Sequence, residues 1–162
     1  MKRHAALVPL SREHTTALAL ALRISRQVPG ADAGGIATVY SDLIAFWSRG
    51  LLPHFRAENE CLLARLIRHV EPADEVVLRT QRDHLGIEAL VADMRDTDDT
   101  ESRRALLLAF GERLRTHVRW EEDVLFRATQ EQLTPGELAS LGADITERVG
   151  DGSTAQHDVF GS

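Results

Sequence analysis

Apolar residues recur along this chain at the three-to-four spacing of amphipathic helices, and period-two alternation is nowhere sustained, so the pattern predicts an all-α protein. Ser11 precedes a stretch carrying Leu18, Ala21 and Leu22, with Glu13 in its first turn. This predicts a first helix from about Ser11 to Gln27, followed by a loop marked by Pro29-Gly30 and Gly34-Gly35. A second helix begins near Ile36, carries Val39, Leu43, Phe46 and Trp47 on one side and then Leu62, Leu63, Leu66 and Ile67, and ends near Val70. Gly50 and Pro53 interrupt it. Proline removes one backbone hydrogen bond and crowds the preceding turn, so a kink at residues 49–53 within one bent helix is expected.

Pro72, Asp74 and Glu75 open a third helix, whose apolar positions Val77, Leu78, Leu85, Leu90, Val91 and Met94 extend to about Arg95. The polar run Asp96 to Glu101 reads as a turn. Thr100 or Ser102 can then cap a long fourth helix, from about Arg103 to Gln130, with Leu107, Phe110, Leu114, Val118, Leu125 and Phe126 on its apolar face. Thr134-Pro135-Gly136-Glu137 has the spacing of a capping box with proline at the first helical position, which predicts a short fifth helix to Val149. The expected architecture is an up-down-up-down antiparallel four-helix bundle with a short extra C-terminal helix packed outside it. Residues 1–149 form one domain in this reading, and the small polar residues of 150–162 form a disordered tail.

With 162 residues, the chain can bury a core without disulfides. Its net charge of -6, with Arg and Glu interspersed, provides no basic stripe and argues against nucleic acid as a partner. No apolar run approaches the roughly 18 residues of a membrane span. The first residues, MKRHAALVPLSREH, lack the apolar stretch of a signal peptide, so a cytoplasmic location is expected, in keeping with the single cysteine, Cys61.

The histidines change the picture from a generic bundle to a candidate metal protein. His54 and Glu58 on the second helix, His84 and Glu88 on the third, and His117 and Glu121 on the fourth are each spaced i, i+4, which puts both members on one helix face. His14 lies near the start of the first helix, so every long helix carries at least one histidine. Apolar neighbours such as Phe55, Leu62, Val118 and Leu125 direct these faces inward, where unpartnered Glu and His would cost several kcal/mol. Neutral imidazole with carboxylate suits iron, manganese or zinc, and two carboxylates able to bridge suit a dinuclear centre, with iron the first choice. The Glu-x-x-His spacing of ferritin-like bundles and the His-Glu-x-x-His spacing of zinc proteases are both absent.

The order His14, His54-x-x-x-Glu58, His84, His117-x-x-x-Glu121, with the strings LLPHFRAENE and HVRWEEDVLF, resembles the hemerythrin-like HHE cation-binding domain family. The resemblance implies two iron ions in an Fe-O-Fe type centre, one held by His14 and His54 and the other by His84 and His117, with Glu58 and Glu121 bridging. Oxygen-carrying members have a further histidine where this chain has Glu88, and they place the fourth-helix carboxylate five residues after its histidine, the position of Glu122. Glu121 is preferred because its spacing repeats that of Glu58. The function this implies is binding or sensing of oxygen, nitric oxide or iron. The alternatives are an enzyme-like role in peroxide or nitric-oxide reduction or iron-sulfur cluster repair, and a metal-independent helical interaction module. Cys61 reads as a buried core residue, Glu13 as solvated, and His4 and His157 as parts of flexible ends.

Overall fold

Residues 2–151 are described by the structure, a computed structural model, and every regular element among them is helical. The predicted disordered tail falls almost wholly within residues 152–162, outside the described residues, as does His157.

The first long helix, α1 (Val8–Gln27), starts three residues before its expected position because Pro9 occupies its first turn, where a missing N–H leaves nothing unsatisfied. Ser11 is therefore not the cap: it lies inside the helix and donates its hydroxyl to Glu122 Oε1 at 2.8 Å. A 3-10 turn, Ala5–Leu7, precedes α1, and the His4 side chain caps it by accepting from the Ala6 N–H, so His4 is part of a built terminus instead of a loose end. The buried stripe of α1 is Leu10, His14, Ala17, Ala21 and Ile24, whereas Leu22 is 49% exposed and drops out of the expected core.

The second rod, α2, spans residues 33–66 and is capped by Asp32, whose carboxylate accepts from the Gly35 N–H and draws the start three residues earlier than expected. Where a kink was expected, the chain makes a π-helical turn, Trp47–Leu51, and continues as helix through Pro53. The wider turn accommodates a residue that can neither donate a backbone bond nor tolerate a close carbonyl four residues back. A second π turn, Glu58–Leu63, begins at one of the candidate ligands, and α2 ends at Leu66, leaving Ile67 44% exposed.

In α3 (Glu75–Asp96) the Asp74 carboxylate caps the Val76 N–H, and the buried stripe is Val77, Thr80, His84, Ile87, Val91 and Met94. Leu78 and Leu85 are 42% and 66% exposed, because the stripe alternates steps of three and four through His84 and passes them by. The fourth rod, α4, covers residues 100–132 and is capped by Asp99, which accepts from the Ser102 N–H; Thr100 is the first helical residue instead. Its π turn, Glu121–Leu125, again starts at a candidate ligand.

The final helix, α5 (Pro135–Val149), has the expected capping box between Thr134 and Glu137 and buries Leu138, Leu141 and Ile145. It packs on the N-terminal 3-10 turn and on α1 and α2, while α4 lies against α1 and α3. His69, beyond the end of α2, reaches Glu137 Oε1 at 2.8 Å and ties α5 down. The core divides into two apolar clusters. One gathers around Leu43, Phe46, Phe110 and Leu114; the other, around Leu62, Leu66, Leu125 and Leu141, includes buried Cys61. Four histidines and two glutamates are buried on the same helices: His14, His54, Glu58, His84, His117 and Glu121.

Candidate metal centre

The six residues form two groups of four that share their carboxylates: His14, His54, Glu58 and Glu121, and Glu58, His84, His117 and Glu121. Ligand atoms within each group all lie within 4.8 Å of one another. Each glutamate offers one oxygen to each group. Glu58 Oε1 is 3.3 Å from His54 Nε2, while its Oε2 is 3.2 Å from His84 Nε2. Glu121 Oε2 is 3.1 Å from His14 Nε2, while its Oε1 is 3.1 Å from His117 Nε2 and 3.4 Å from His84 Nε2.

These contacts do not satisfy the atoms involved. Both oxygens of Glu58 and of Glu121, with the Nε2 atoms of His84 and His117, find no hydrogen-bond partner among the described residues. His14 Nε2 and His54 Nε2 face each other at 3.0 Å. Orphaned carboxylate oxygens in a dry core cost several kcal/mol unless something cationic takes them up, and an imidazole and carboxylate donor set fits a transition-metal ion.

The outer ring nitrogens reveal a second layer that sequence reasoning missed. Glu13 Oε2 lies 2.7 Å from His54 Nδ1, Asn59 Oδ1 3.0 Å from His84 Nδ1, Asp83 Oδ2 3.8 Å from His117 Nδ1, and Glu122 Oε1 2.7 Å from His14 Nδ1. The four pairs close a ring, linking α1 to α2, α2 to α3, α3 to α4 and α4 to α1. Three of the contacts are short enough for hydrogen bonds; the Asp83 contact is longer. Each of these four residues is the immediate sequence neighbour of a clustered His or Glu, since one step along a helix turns a side chain by about 100°, from the bundle axis toward the adjacent helix. Holding a proton on Nδ1 leaves Nε2 as the free donor. The signal legible in sequence was an acidic or amide residue beside four of the six clustered residues, in Glu13-His14, Glu58-Asn59, Asp83-His84 and Glu121-Glu122.

Glu121 and Glu122 thus take different places. Glu121 is fully buried and belongs to both groups, whereas Glu122 stands outside His14 and also pairs with Arg3 and Ser11. Glu88 is half-buried and is brought to neither group, because the buried face of α3 runs from His84 to Ile87 and Val91. The site walls are Phe55, stacked on His84 at 4.0 Å between ring centroids and edge-on to His117 at 5.3 Å, and Phe126, stacked on His14 at 5.3 Å. Trp47 packs edge-on against Phe55, and Trp120 lies under the Arg79 guanidinium.

Without metal, the cluster sorts its own charges. Burial disfavours the His54 cation, but the carboxylates of Glu58 and Glu13 outweigh it and raise His54 to about 10. Burial also opposes ionisation of Glu58, yet His54 and His84 hold it well below the usual carboxylate range. Burial and the neighbouring Glu58 carboxylate push Glu121 well above that range, so one of the two shared carboxyls is charged and the other neutral. Burial lowers His117 to about 4 and also lowers His14, whose neutral ring donates from Nδ1 to Glu122 and holds that carboxyl at about 2 despite its partial burial. A raised His54 contributes stability that is complete below 6.5 and is lost as pH rises through about 10, and a raised Glu121 acts in the same direction. The metal-free protein is therefore expected to melt on the order of 10 °C lower at pH 10 than at pH 7, as followed by circular dichroism.

The Hemerythrin HHE cation-binding domain model matches residues 6–129. The chain belongs to this family. No curated protein and no solved structure matches it. The matched segment contains all six clustered residues and all four that stand beside the outer ring nitrogens, and the family's cation-binding character agrees with the orphaned donors. As a hemerythrin-family domain it has no helix among the described residues long and apolar enough to cross a membrane.

Proposed function

We propose that this domain is a non-heme diiron protein that binds or senses a small molecule such as oxygen, nitric oxide or peroxide. The observation that carries the reading is the pair of shared carboxylates, each directing one oxygen to each histidine pair. His14 and His54 would hold one iron, His84 and His117 the other, and Glu58 and Glu121 would bridge them across an up-down-up-down bundle. Iron, when bound, supplies redox activity and coordination positions for a small ligand.

The chain's own residues do the rest. Phe55 and Phe126 exclude water from the imidazoles, Glu13, Asn59 and Glu122 fix ring orientation through hydrogen bonds, and Asp83 stands beside His117. Loading requires His54 to lose its proton to solvent and Glu121 to ionise, so uptake strengthens as pH rises. Anaerobic titration with ferrous iron is expected to break at about two ions per chain, and saturation at one would reduce the proposal to a mononuclear site. Glu13→Ala is expected to weaken iron at the His14–His54 group by about 10–100-fold and leave the other group unchanged, as read from the two steps of the same titration.

A further inference from the structure

Leu22 leaves the buried stripe of α1 and stands 49% exposed beside a groove of about 450 Å³ between α1 and α4. Leu18 and Leu108 line the same groove. Gly111 lies where the two helices approach so closely that a Cβ on it would stand 3.0 Å from Ile24 Cγ2. Gly111 is beside Ile24 and Glu121 is beside His14, so α1 and α4 run antiparallel. Ser25 and Leu108 therefore share one end of the groove, and Arg115 and Arg119 mark the other. At 1.5 Å per residue, Leu108 and Arg119 are about 16 Å apart along α4. Arg115 is committed to Glu112, at 2.6 Å. Arg119 is exposed and makes no hydrogen bond or ion pair among the described residues, meeting Glu112 only through its longer-range field.

We propose that this groove binds one amphipathic monocarboxylate, with its carboxylate against the Arg119 guanidinium and its alkyl chain over Leu18, Leu22 and Leu108. The volume falls among small-molecule sites, which run from about 300 to 1,000 Å³. Ten residues line the groove, fewer than the roughly 20–30 a side of a standard protein interface, so a small molecule suits it better than a second protein. An uncommitted guanidinium offers two parallel N–H donors that match a carboxylate, and the leucines lose exposed apolar surface only to a ligand whose remainder is apolar. The net charge of -6 disfavours anions over the surface at large, so the local cation decides where one settles.

The test is calorimetric titration of the full chain with decanoate, below its micelle concentration, with the metal content and circular dichroism of each variant recorded. One decanoate per chain is expected to bind wild type with a Kd on the order of 10–100 µM. Binding is expected to weaken about tenfold in Arg119→Ala, to stay within about threefold of wild type in Arg119→Lys, and to be lost in Leu22→Glu, which sets a like charge in the groove. Decanol, which lacks the charge, is expected to bind wild type and R119A equally. No binding to wild type would overturn the proposal. Equal decanoate binding by wild type, R119A and L22E would also overturn it, by placing the ligand elsewhere, the metal cluster included. Sedimentation gives the remaining outcome: a wild-type dimer that L22E converts to monomer would show a second copy covering the groove and would overturn the proposal. None of these results depends on iron in the cluster, so the diiron reading stands or falls separately.

Discussion

Glu121→Gln is expected to leave the melting midpoint of the metal-free protein within about 2 °C of wild type, while iron affinity falls about hundredfold at both groups. The two halves of this result have one cause. Glu121 belongs to both groups, so its loss removes one donor in four from each, and structural metal sites derive about 3 kcal/mol from each ligand. In the metal-free protein, burial and Glu58 already keep Glu121 neutral, so a neutral amide of the same shape changes little. Glu58→Gln should cost iron affinity to the same degree but also destabilise the metal-free protein by about 3 kcal/mol, because it strips the His54 cation of its buried counter-charge. Calorimetry of the two metal-free variants checks this contrast. Equal midpoints for E121Q and E58Q would show that the charge is divided otherwise between the two carboxyls.

His54→Ala combined with His117→Ala removes one imidazole from each group and is expected to lose most bound iron while the chain stays helical. Both histidines are almost fully buried, so each truncation leaves a small cavity, but the apolar clusters around Leu43 and Leu62 do not depend on either ring. Elemental analysis beside far-ultraviolet circular dichroism reads the outcome. Full metal content in the double variant would exclude these residues as ligands.

How much of this was legible in the sequence depends on how local each signal is. The i, i+4 pairs His54–Glu58 and His117–Glu121 stand on one helix face by geometry alone, and the structure brings them together with His14 and His84. Glu88 had the same spacing from His84 but not the same surroundings. The stripe of α3 turns toward Ile87, and only packing against α4 decides that. The ring of Glu13, Asn59, Asp83 and Glu122 was missed because each acts on a histidine of a different helix, a relation with no fixed sequence separation. Helix ends show the same division. The Thr134–Glu137 capping box is a local pattern and was read correctly, whereas the starts of α1 and α2 moved by three residues, to Val8 and Ala33. Pro53 was visible as an irregularity, but a π turn and a kink are alternative relaxations of one backbone conflict, and the surrounding core selects between them.

Two iron ions in the buried cluster are what the proposed function requires. The most direct measurement is the iron, zinc and manganese content per chain of protein purified without added metal. About two iron per chain is the predicted result; protein that contains no iron and takes up none from ferrous solution under anaerobic conditions would contradict it.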